Sequence, residues 1–179
     1  MTDLAFRPSA PDDARAISFV VTAAFGGPGE STLIETLRRD GDMLHEFVAT
    51  SQGRVIAHIA FSRLNMHHGD ATLRAAALAP LAVEPAHQRA GAGTALTRYA
   101  LEALRLLGQQ VVVVLGHPVY YPRFGFSALR AKSLDAPYSG PSFMALELCP
   151  GALAENRWRV SYPPAFTPNV PDDTPPQNR

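Results

Sequence analysis

Residues 81–93 read LAVEPAHQRAGAG, and this stretch decides the fold. The apolar residues Leu81–Val83 are the last residues of a predicted strand, Arg74–Val83. After Gly91 and Gly93 a predicted amphipathic helix begins and runs to about Leu107. The next apolar run, Val111–Leu115, is typical of a strand buried on both faces. Strand, helix and strand at this spacing predict a parallel pair with a right-handed crossover.

Pro80 lies near the end of the first of these strands. Proline has no backbone N–H for the ladder, so the strand is expected to bulge there or to lie open on one side. We therefore expect the two parallel strands to splay apart near Pro80. Ligands of α/β sheets favour such a gap at the carboxyl ends of the strands.

The elements outside this unit are predicted from periodicity and turn residues. They are a strand over Leu4–Arg7, a helix after Pro11, a helix with Leu33, Ile34 and Leu37 inward, the hairpin strands His45–Thr50 and Arg54–Ser62, a short helix or turn over Pro118–Arg123 and a last strand over Phe143–Leu148. Ser9 and Asp12 have the spacing of a capping box for the first helix.

Composition indicates one ordinary globular domain. The 179 residues carry 16 Lys plus Arg and 16 Asp plus Glu, so no overall basic field would recruit nucleic acid. The N-terminus does not resemble a secretory signal, and no apolar run is long enough to span a bilayer. We therefore expect a cytoplasmic protein that does not bind a membrane. The single cysteine, Cys149, is interpreted as a core residue of the last strand.

The C-terminal residues differ in composition from the rest of the chain. Six prolines and few apolar residues follow from position 163 onward. Such a segment buries little apolar surface, so an extended or poorly ordered arm is expected. The chain is therefore divided into a domain of residues 1–162 and a Pro-rich tail of residues 163–179.

The loop before the central helix has the properties of an anion site. Free N–H groups at a helix start and the helix dipole favour negative charge. Gly91 and Gly93 allow phosphate oxygens to approach the backbone, and Arg89 adds a cation at the rim. The Lys-Ser/Thr of a P-loop and the third glycine of a dinucleotide fingerprint are absent.

The loop, Gln88–Gly93, resembles the Gln/Arg-x-x-Gly-x-Gly/Ala loop of the GNAT superfamily, and Leu81–Pro85 resembles its lead-in. The resemblance implies an α/β (α+β) fold with a mostly antiparallel central sheet, a parallel strand pair splayed at the cofactor site and helices on both faces. It also implies acetyl-CoA as donor substrate. The implied coenzyme A-binding residues are Leu81, Ala82, Val83, Gln88, Arg89, Ala90, Gly91, Ala92, Gly93 and Thr94.

A second motif, Tyr120–Phe126, resembles the aromatic–Tyr-x-x-x-Gly-Phe segment of the same family. The matching residue, Tyr121, would be the general acid that protonates the departing thiolate, because a free tyrosine stays protonated at neutral pH. Tyr120 is interpreted as a packing residue. The resemblance covers about Leu4–Leu148, and Leu115–Pro118 with Arg159–Phe166 resembles a bacterial acetyltransferase branch of the family.

One position departs from the family pattern. Many members carry an asparagine that binds the pantetheine arm where this chain has Gly116-His117-Pro118, which puts that contact in doubt. Of three candidate proton acceptors, His117 at the end of the cofactor strand is favoured. Glu84 is interpreted as a solvated strand-end residue and His58 as a satisfied core histidine.

The expected function is transfer of an acetyl group from acetyl-CoA to an amine of a small molecule or peptide, by direct attack. Two alternatives stay open: a coenzyme A-binding regulatory or degenerate module without turnover, and the same fold with a longer acyl-CoA. Selectivity for the acceptor is expected from the first two helices and from Asn65–Thr72 and Ala131–Pro141. No metal site is expected, and a monomer and a homodimer are equally compatible with the sequence.

Overall fold

A computed structural model of the chain describes residues 4–154 and 157–167. Its regular elements, in chain order, are β1 (Leu4–Pro8), α1 (Ala14–Phe25), α2 (Gly29–Arg39), β2 (Met43–Ser51), β3 (Arg54–His68), β4 (Ala71–Val83), α3 (Ala92–Leu106), β5 (Val111–Leu115), α4 (Ala128–Ala131), β6 (Leu134–Asp135), β7 (Phe143–Glu147) and β8 (Trp158–Ser161). Short 3₁₀ helices span Pro11–Asp13, Pro85–His87, Tyr121–Phe124 and Pro164–Phe166.

One mixed sheet holds these strands, and its main path runs β1-β2-β3-β4-β5-β7. Neighbours on that path are antiparallel, except that β4 and β5 are parallel. The late strand β8 pairs antiparallel with the second half of β3 and parallel with β6. The predicted fold class, a mostly antiparallel sheet with one parallel pair, is confirmed.

The parallel pair separates before either strand ends. The β4–β5 ladder joins Ala75–Ala77 to Val111–Val113, whereas β4 continues to Val83 and β5 to Leu115. No β5 residue therefore pairs with the last residues of β4, and a gap opens at the carboxyl ends of both strands. This is the splayed pair that the sequence predicts.

A bulge in β4 accompanies the gap. Between Leu78 and Leu81 the strand advances three residues, while its partner β3 advances two, from Phe61 to Ile59. The extra residue falls beside Pro80, which has no N–H to pair. The irregularity predicted at Pro80 is confirmed.

Helices cover both faces of the sheet, as predicted. Alternate residues of β5 show the two faces: Val112 and Val114 belong to the core under α3, and Val111 and Val113 to the core beneath α4, β6 and β8. The helices α1 and α2 cover the rest of the face opposite α3. All four valines are buried, which confirms that β5 is covered on both faces.

The start of α1 differs from the expected capping box. The N–H of Ser9 donates to the Glu46 carbonyl at 3.0 Å, so Ser9 continues the pairing of β1 with β2 and does not cap the helix. Asp13, one residue after the expected Asp12, accepts the N–H of Ala10 at 2.8 Å. The cap was predicted one residue too early because the strand extends further than expected.

The prediction for Cys149 is wrong. β7 ends at Glu147, and the N–H groups of Leu148 and Cys149 both donate to the Gln110 carbonyl as the chain turns away. This turn leaves Cys149 exposed.

The strand β8 and the segment after it were not predicted. Trp158 and Val160 are buried, and the following helix packs Ala165 and Phe166 against the core around Leu37. Pro163, Ala165 and Phe166 are therefore packed, where an extended or poorly ordered arm was expected, and positions 168–179 of the predicted tail lie outside the described residues. No helix in the described ranges is long and apolar enough to cross a membrane.

Candidate active site

Two adjoining cavities lie at the carboxyl end of β4. The loop cavity measures about 550 Å³ and is lined by Ala24, Phe25, Leu81, Val83, His87, Gln88, Arg89, Gly91, Gly93, Thr94, Tyr120 and Arg123. The aromatic cavity measures about 610 Å³ and is lined by Phe25, Glu30, Leu33, Leu78, Ala79, Pro80, Leu81, Val114, Leu115, Gly116, His117, Tyr120, Tyr121, Tyr138, Tyr162 and Phe166. Phe25, Leu81 and Tyr120 line both, so the cavities share a boundary.

The loop cavity lies at the uncapped start of α3. Gly91, the residue before the helix, has a left-handed backbone with φ of 90°, and no side chain caps the helix there. The first helical bond runs from the Ala95 N–H to the Gly91 carbonyl, so the N–H groups of residues 92–94 stand outside the helical ladder. Arg89 is also left-handed, with φ of 59°. Free N–H groups at a helix start form a site for an anion.

The end of β4 offers backbone groups to the same gap. The Glu84 N–H donates to the Ile56 carbonyl on β3 at 2.8 Å. Because successive residues of a strand direct their backbone groups to opposite sides, Val83 and Leu81 direct theirs away from β3. The Val83 carbonyl accepts a bond from the Gln88 side-chain amide at 3.0 Å instead. The Leu81 backbone thus faces the gap.

The predicted coenzyme A-binding residues separate into two groups. Leu81, Val83, Gln88, Arg89, Gly91, Gly93 and Thr94 line the loop cavity, whereas Ala82, Ala90 and Ala92 do not. The side chains of Ala82 and Ala92 are buried in cores on opposite faces of the sheet, and Ala90 is exposed. His87, Phe25 and Arg123 line the cavity but were not predicted, because no local motif marks them.

Tyr121 is buried in the wall of the aromatic cavity. Its ring packs directly against Gly116. A β-carbon at position 116 would lie only 2.3 Å from the Cε2 atom of Tyr121. Edge contacts with Phe126 and Tyr120 hold the ring, with centroids 5.6 and 5.1 Å away. Burial, together with the nearby Tyr120, raises the pKa of Tyr121 to about 12. Glycine at 116 therefore makes room for this tyrosine.

Tyr120 stands at the boundary of the two cavities. The guanidinium of Arg123 lies 4.6 Å from its ring centroid, and the Phe124 ring is 5.4 Å away. Its hydroxyl would be 3.4 Å from a β-carbon on Gly93, at the start of α3. Tyr120 packs against Arg123 and Phe124, which agrees with its predicted packing role. Its hydroxyl also lies near the glycine-bearing loop before α3, which the sequence did not indicate.

His117 is exposed and lines the aromatic cavity with Tyr121. Its carbonyl accepts the Tyr120 N–H at 3.0 Å, which starts the turn that carries both tyrosines. The two predicted catalytic residues are thus brought to one cavity.

The prediction for Glu84 is wrong. Its side chain is only 14% exposed and approaches Arg54 at 3.5 Å and His87 at 3.0 Å. The 3₁₀ helix after β4 folds His87 back over the strand end, which shields the carboxylate from solvent. Glu84 is thus a structural anchor of the loop.

His58 is a core histidine, as predicted, but only one of its nitrogens is paired. Its Nε2 lies 2.8 Å from a Glu46 oxygen, and its buried Nδ1 has no partner among the described residues. Burial lowers the pKa of His58, opposed in part by Glu46. For Glu46 burial acts to raise the pKa, but bonds from His58 and Arg38 outweigh it and the pKa is lowered. His58 lines neither cavity.

The residues expected to select the acceptor are partly those that line the aromatic cavity. The first two helices supply Phe25, Glu30 and Leu33, and the predicted segment Ala131–Pro141 supplies Tyr138. The segment Asn65–Thr72 supplies none, because it forms the β3–β4 hairpin end paired with β8, and its role in selecting the acceptor stays a prediction.

Two aromatic residues of the cavity lining, Tyr162 and Phe166, follow β8, the strand that the sequence did not predict.

Within the two described ranges no cluster of three or more His, Cys, Asp or Glu side chains has the arrangement of a metal site.

Comparisons with known proteins agree on one family. Residues 5–129 match the family model of the acetyltransferase (GNAT) domain. The chain is 39% identical over 132 residues to the uncharacterized N-acetyltransferase YjhQ of Escherichia coli K12, covering 72% of this chain and 73% of that one. It is 33% identical over 159 residues to the uncharacterized N-acetyltransferase YhbS of the same strain, covering 87% and 94%.

Solved structures extend this similarity to the fold. A crystal structure of Escherichia coli YhbS in complex with CoA matches with a TM-score of 0.84 and 30% identity, covering 93% of each chain. A GNAT family acetyltransferase from Brucella melitensis in complex with acetyl-CoA matches with a TM-score of 0.76 and 31% identity, covering 93% of this chain and 100% of that one. With its splayed parallel strands and its glycine-bearing helix start, the chain belongs to the GNAT superfamily of N-acetyltransferases.

Proposed function

We propose that the chain transfers an acetyl group from acetyl-CoA to a primary amine by direct attack, with Tyr121 as general acid. The observation that carries the proposal is the shared boundary of the two cavities, one at a free helix start and one around Tyr121. The relatives of known structure were crystallised with CoA and with acetyl-CoA, which supports the same donor here.

Acetyl-CoA would bind mainly through backbone groups. The pyrophosphate would accept bonds from the free N–H groups of residues 92–94, with Arg89 at the rim. The pantetheine arm would run along the open edge of β4, where Leu81 and Val83 face the gap, toward Tyr121. A backbone N–H on this edge would polarise the thioester carbonyl.

The chemistry needs no covalent enzyme intermediate. The bound ammonium group loses one proton to His117, directly or through water, and the neutral nitrogen then attacks the thioester carbon. A C–N bond forms, the C–S bond breaks, the electron pair leaves with sulfur, and the nitrogen releases its second proton to solvent as the amide forms. Tyr121 donates its proton to that sulfur and regains one from solvent. A pKa of about 12 keeps Tyr121 protonated at neutral pH, so it is available as an acid and not as a base.

Turnover decides between this proposal and a module that only binds coenzyme A. The protein is incubated with acetyl-CoA and a panel of primary amines, while thiol release and the mass of the product are followed. We expect thiol release that depends on the amine, with one acetyl group added to it. Tight binding of coenzyme A without any acetylated amine would contradict the proposal. A preference for longer acyl-CoA donors would mean that acetyl-CoA is not the donor.

A further inference from the structure

The far wall of the aromatic cavity is built from three aromatic rings. Tyr162 meets Tyr138 edge to face with centroids 5.1 Å apart, and it meets Phe166 in the same way at 5.4 Å. The 3₁₀ helix that carries Phe166 packs against α2, so the wall is tied to the body of the domain. Interlocked rings of this kind form a fixed apolar surface.

One carboxylate lines the same cavity. Glu30 is the single Asp or Glu among the described residues that line the aromatic cavity, and none of them is Lys or Arg. The Glu30 side chain is half-buried, and no hydrogen bond or ion pair within residues 4–154 and 157–167 involves it. The helix dipole favours an acid in the first turn of α2, where Glu30 lies. The dipole is not a hydrogen-bonding partner, however, so the carboxylate oxygens can still pair with a ligand.

This distribution of charge discriminates among amines. A single ammonium group finds a counter-charge in Glu30, and aromatic faces also attract cations. A carboxylate on the acceptor would find no Lys or Arg in the lining, and the second charge of a polyamine would find no second acid. Burying an unpaired charge is costly, so both kinds of amine are disfavoured. A volume of about 610 Å³ suits a small molecule beside the end of the pantetheine arm.

We propose that the acceptor is a small primary amine with one positive charge and an aromatic or branched alkyl body. The body packs on Tyr138, Tyr162 and Phe166, and the ammonium group pairs with Glu30 while the amine binds. This inference rests on the proposed acetyl transfer and assigns Glu30 a role in binding. Loss of a proton to His117 and attack on the thioester beside Tyr121 follow.

Three amines test the class. 2-Phenylethylamine has the proposed features, phenylalanine adds a carboxylate to the same body, and spermidine adds charges. With acetyl-CoA saturating, we expect kcat/KM for 2-phenylethylamine to exceed both others by about tenfold or more, as unpaired buried charges predict. A higher value for phenylalanine or spermidine overturns the inference and leaves acetyl transfer standing.

Glu30→Gln tests the residue. We expect KM for 2-phenylethylamine to rise about fivefold with little change in kcat, as for a half-exposed ion pair. Glu35→Gln is the matched control, because Glu35 lies on α2 but outside the cavity. The neutral isostere 2-phenylethanol, used as a competitive inhibitor, should bind the parent and Glu30→Gln equally.

Equal effects of the two substitutions on KM, or a weaker binding of the neutral alcohol to Glu30→Gln, would overturn the assignment of Glu30. Absence of turnover with every amine, despite binding of acetyl-CoA, would be a different result. It would refute the proposed function and this inference with it.

Discussion

The loop cavity and the aromatic cavity are built in opposite ways. The loop cavity is lined mainly by one continuous stretch, from the end of β4 to the start of α3, with Ala24, Phe25, Tyr120 and Arg123 added from elsewhere. The aromatic cavity uses side chains from α1, α2, the turn after β5, Tyr138 and the segment after β8. A site made from backbone needs only local sequence and glycines, whereas a site made from side chains depends on how distant segments pack. The two halves should therefore respond differently to substitution.

Tyr121→Phe should have the largest effect, because this residue is the proposed general acid. Loss of a general acid costs about a hundredfold to ten-thousandfold in rate. We expect a fall in kcat of that size, with the dissociation constant of coenzyme A nearly unchanged in calorimetry. Tyr120→Phe keeps the ring and its contact with Arg123, so it should cost far less. Equal losses from the two substitutions would mean that both tyrosines act through packing alone.

Gly91→Val tests the backbone half. A β-branched residue is strained at a φ of 90°, and the shifted loop would misplace the N–H groups at the start of α3. Loss of two charge-assisted bonds corresponds to about a hundredfold weaker binding of coenzyme A. Gly69→Val is the control, because Gly69 is also left-handed with open space around it but lies in the distant β3–β4 turn. If both variants bind coenzyme A like the parent, the phosphate loop is wrongly assigned.

Gly116→Ala tests how closely Tyr121 is held. The new methyl group would lie 2.3 Å from the ring, so the tyrosine must move from its place beside Phe126. We expect kcat to fall about tenfold or more, since misplacing a catalytic group by an ångström can cost about a hundredfold, with coenzyme A affinity preserved. Gly27→Ala, at an unobstructed position, should change neither. Normal kcat in Gly116→Ala would show that the position of the ring does not limit the reaction.

The pH–rate profile should show the smallest effect. Tyr121 must be protonated to act, and its pKa is raised to about 12, so its contribution is lost only as the pH rises through that value. No alkaline limb from Tyr121 is therefore expected below about pH 10. If His117 accepts the amine proton, His117→Gln should alter the acidic limb of kcat/KM, whereas His67→Gln should not. A limb that follows the pKa of the amine and ignores the substitution would exclude His117.

The sequence predicted the loop half well because its signals are local. A strand end, two glycines and an amphipathic helix follow one another, and the bulge at Pro80 follows from a missing N–H. The tyrosine pair was predicted from a motif of seven residues. Alternation along a strand and burial of the first helical turn direct the side chains of Ala82 and Ala92 into the cores, so their predicted place in the site rests on backbone groups alone.

The aromatic half was predicted only in part. Trp158 and Val160 alternate with polar residues, which is a signal for β8, but four residues are too few to stand out beside a proline-rich segment. Missing β8 meant missing Tyr162 and Phe166, which follow it into the cavity. Their role depends on the pairing of β8 with β3, a contact between residues about 90 positions apart, such as His67 with Arg159. Local patterns do not encode such a contact.

A crystal structure of the protein with coenzyme A and 2-phenylethylamine tests the central claim most directly, because it shows where the sulfur lies relative to the two tyrosines. We expect the pyrophosphate at the start of α3, the pantetheine arm along Leu81 and Val83, and the sulfur within about 3.5 Å of the Tyr121 hydroxyl. A sulfur atom beside the Tyr120 hydroxyl, or beyond hydrogen-bonding reach of Tyr121, would contradict the account.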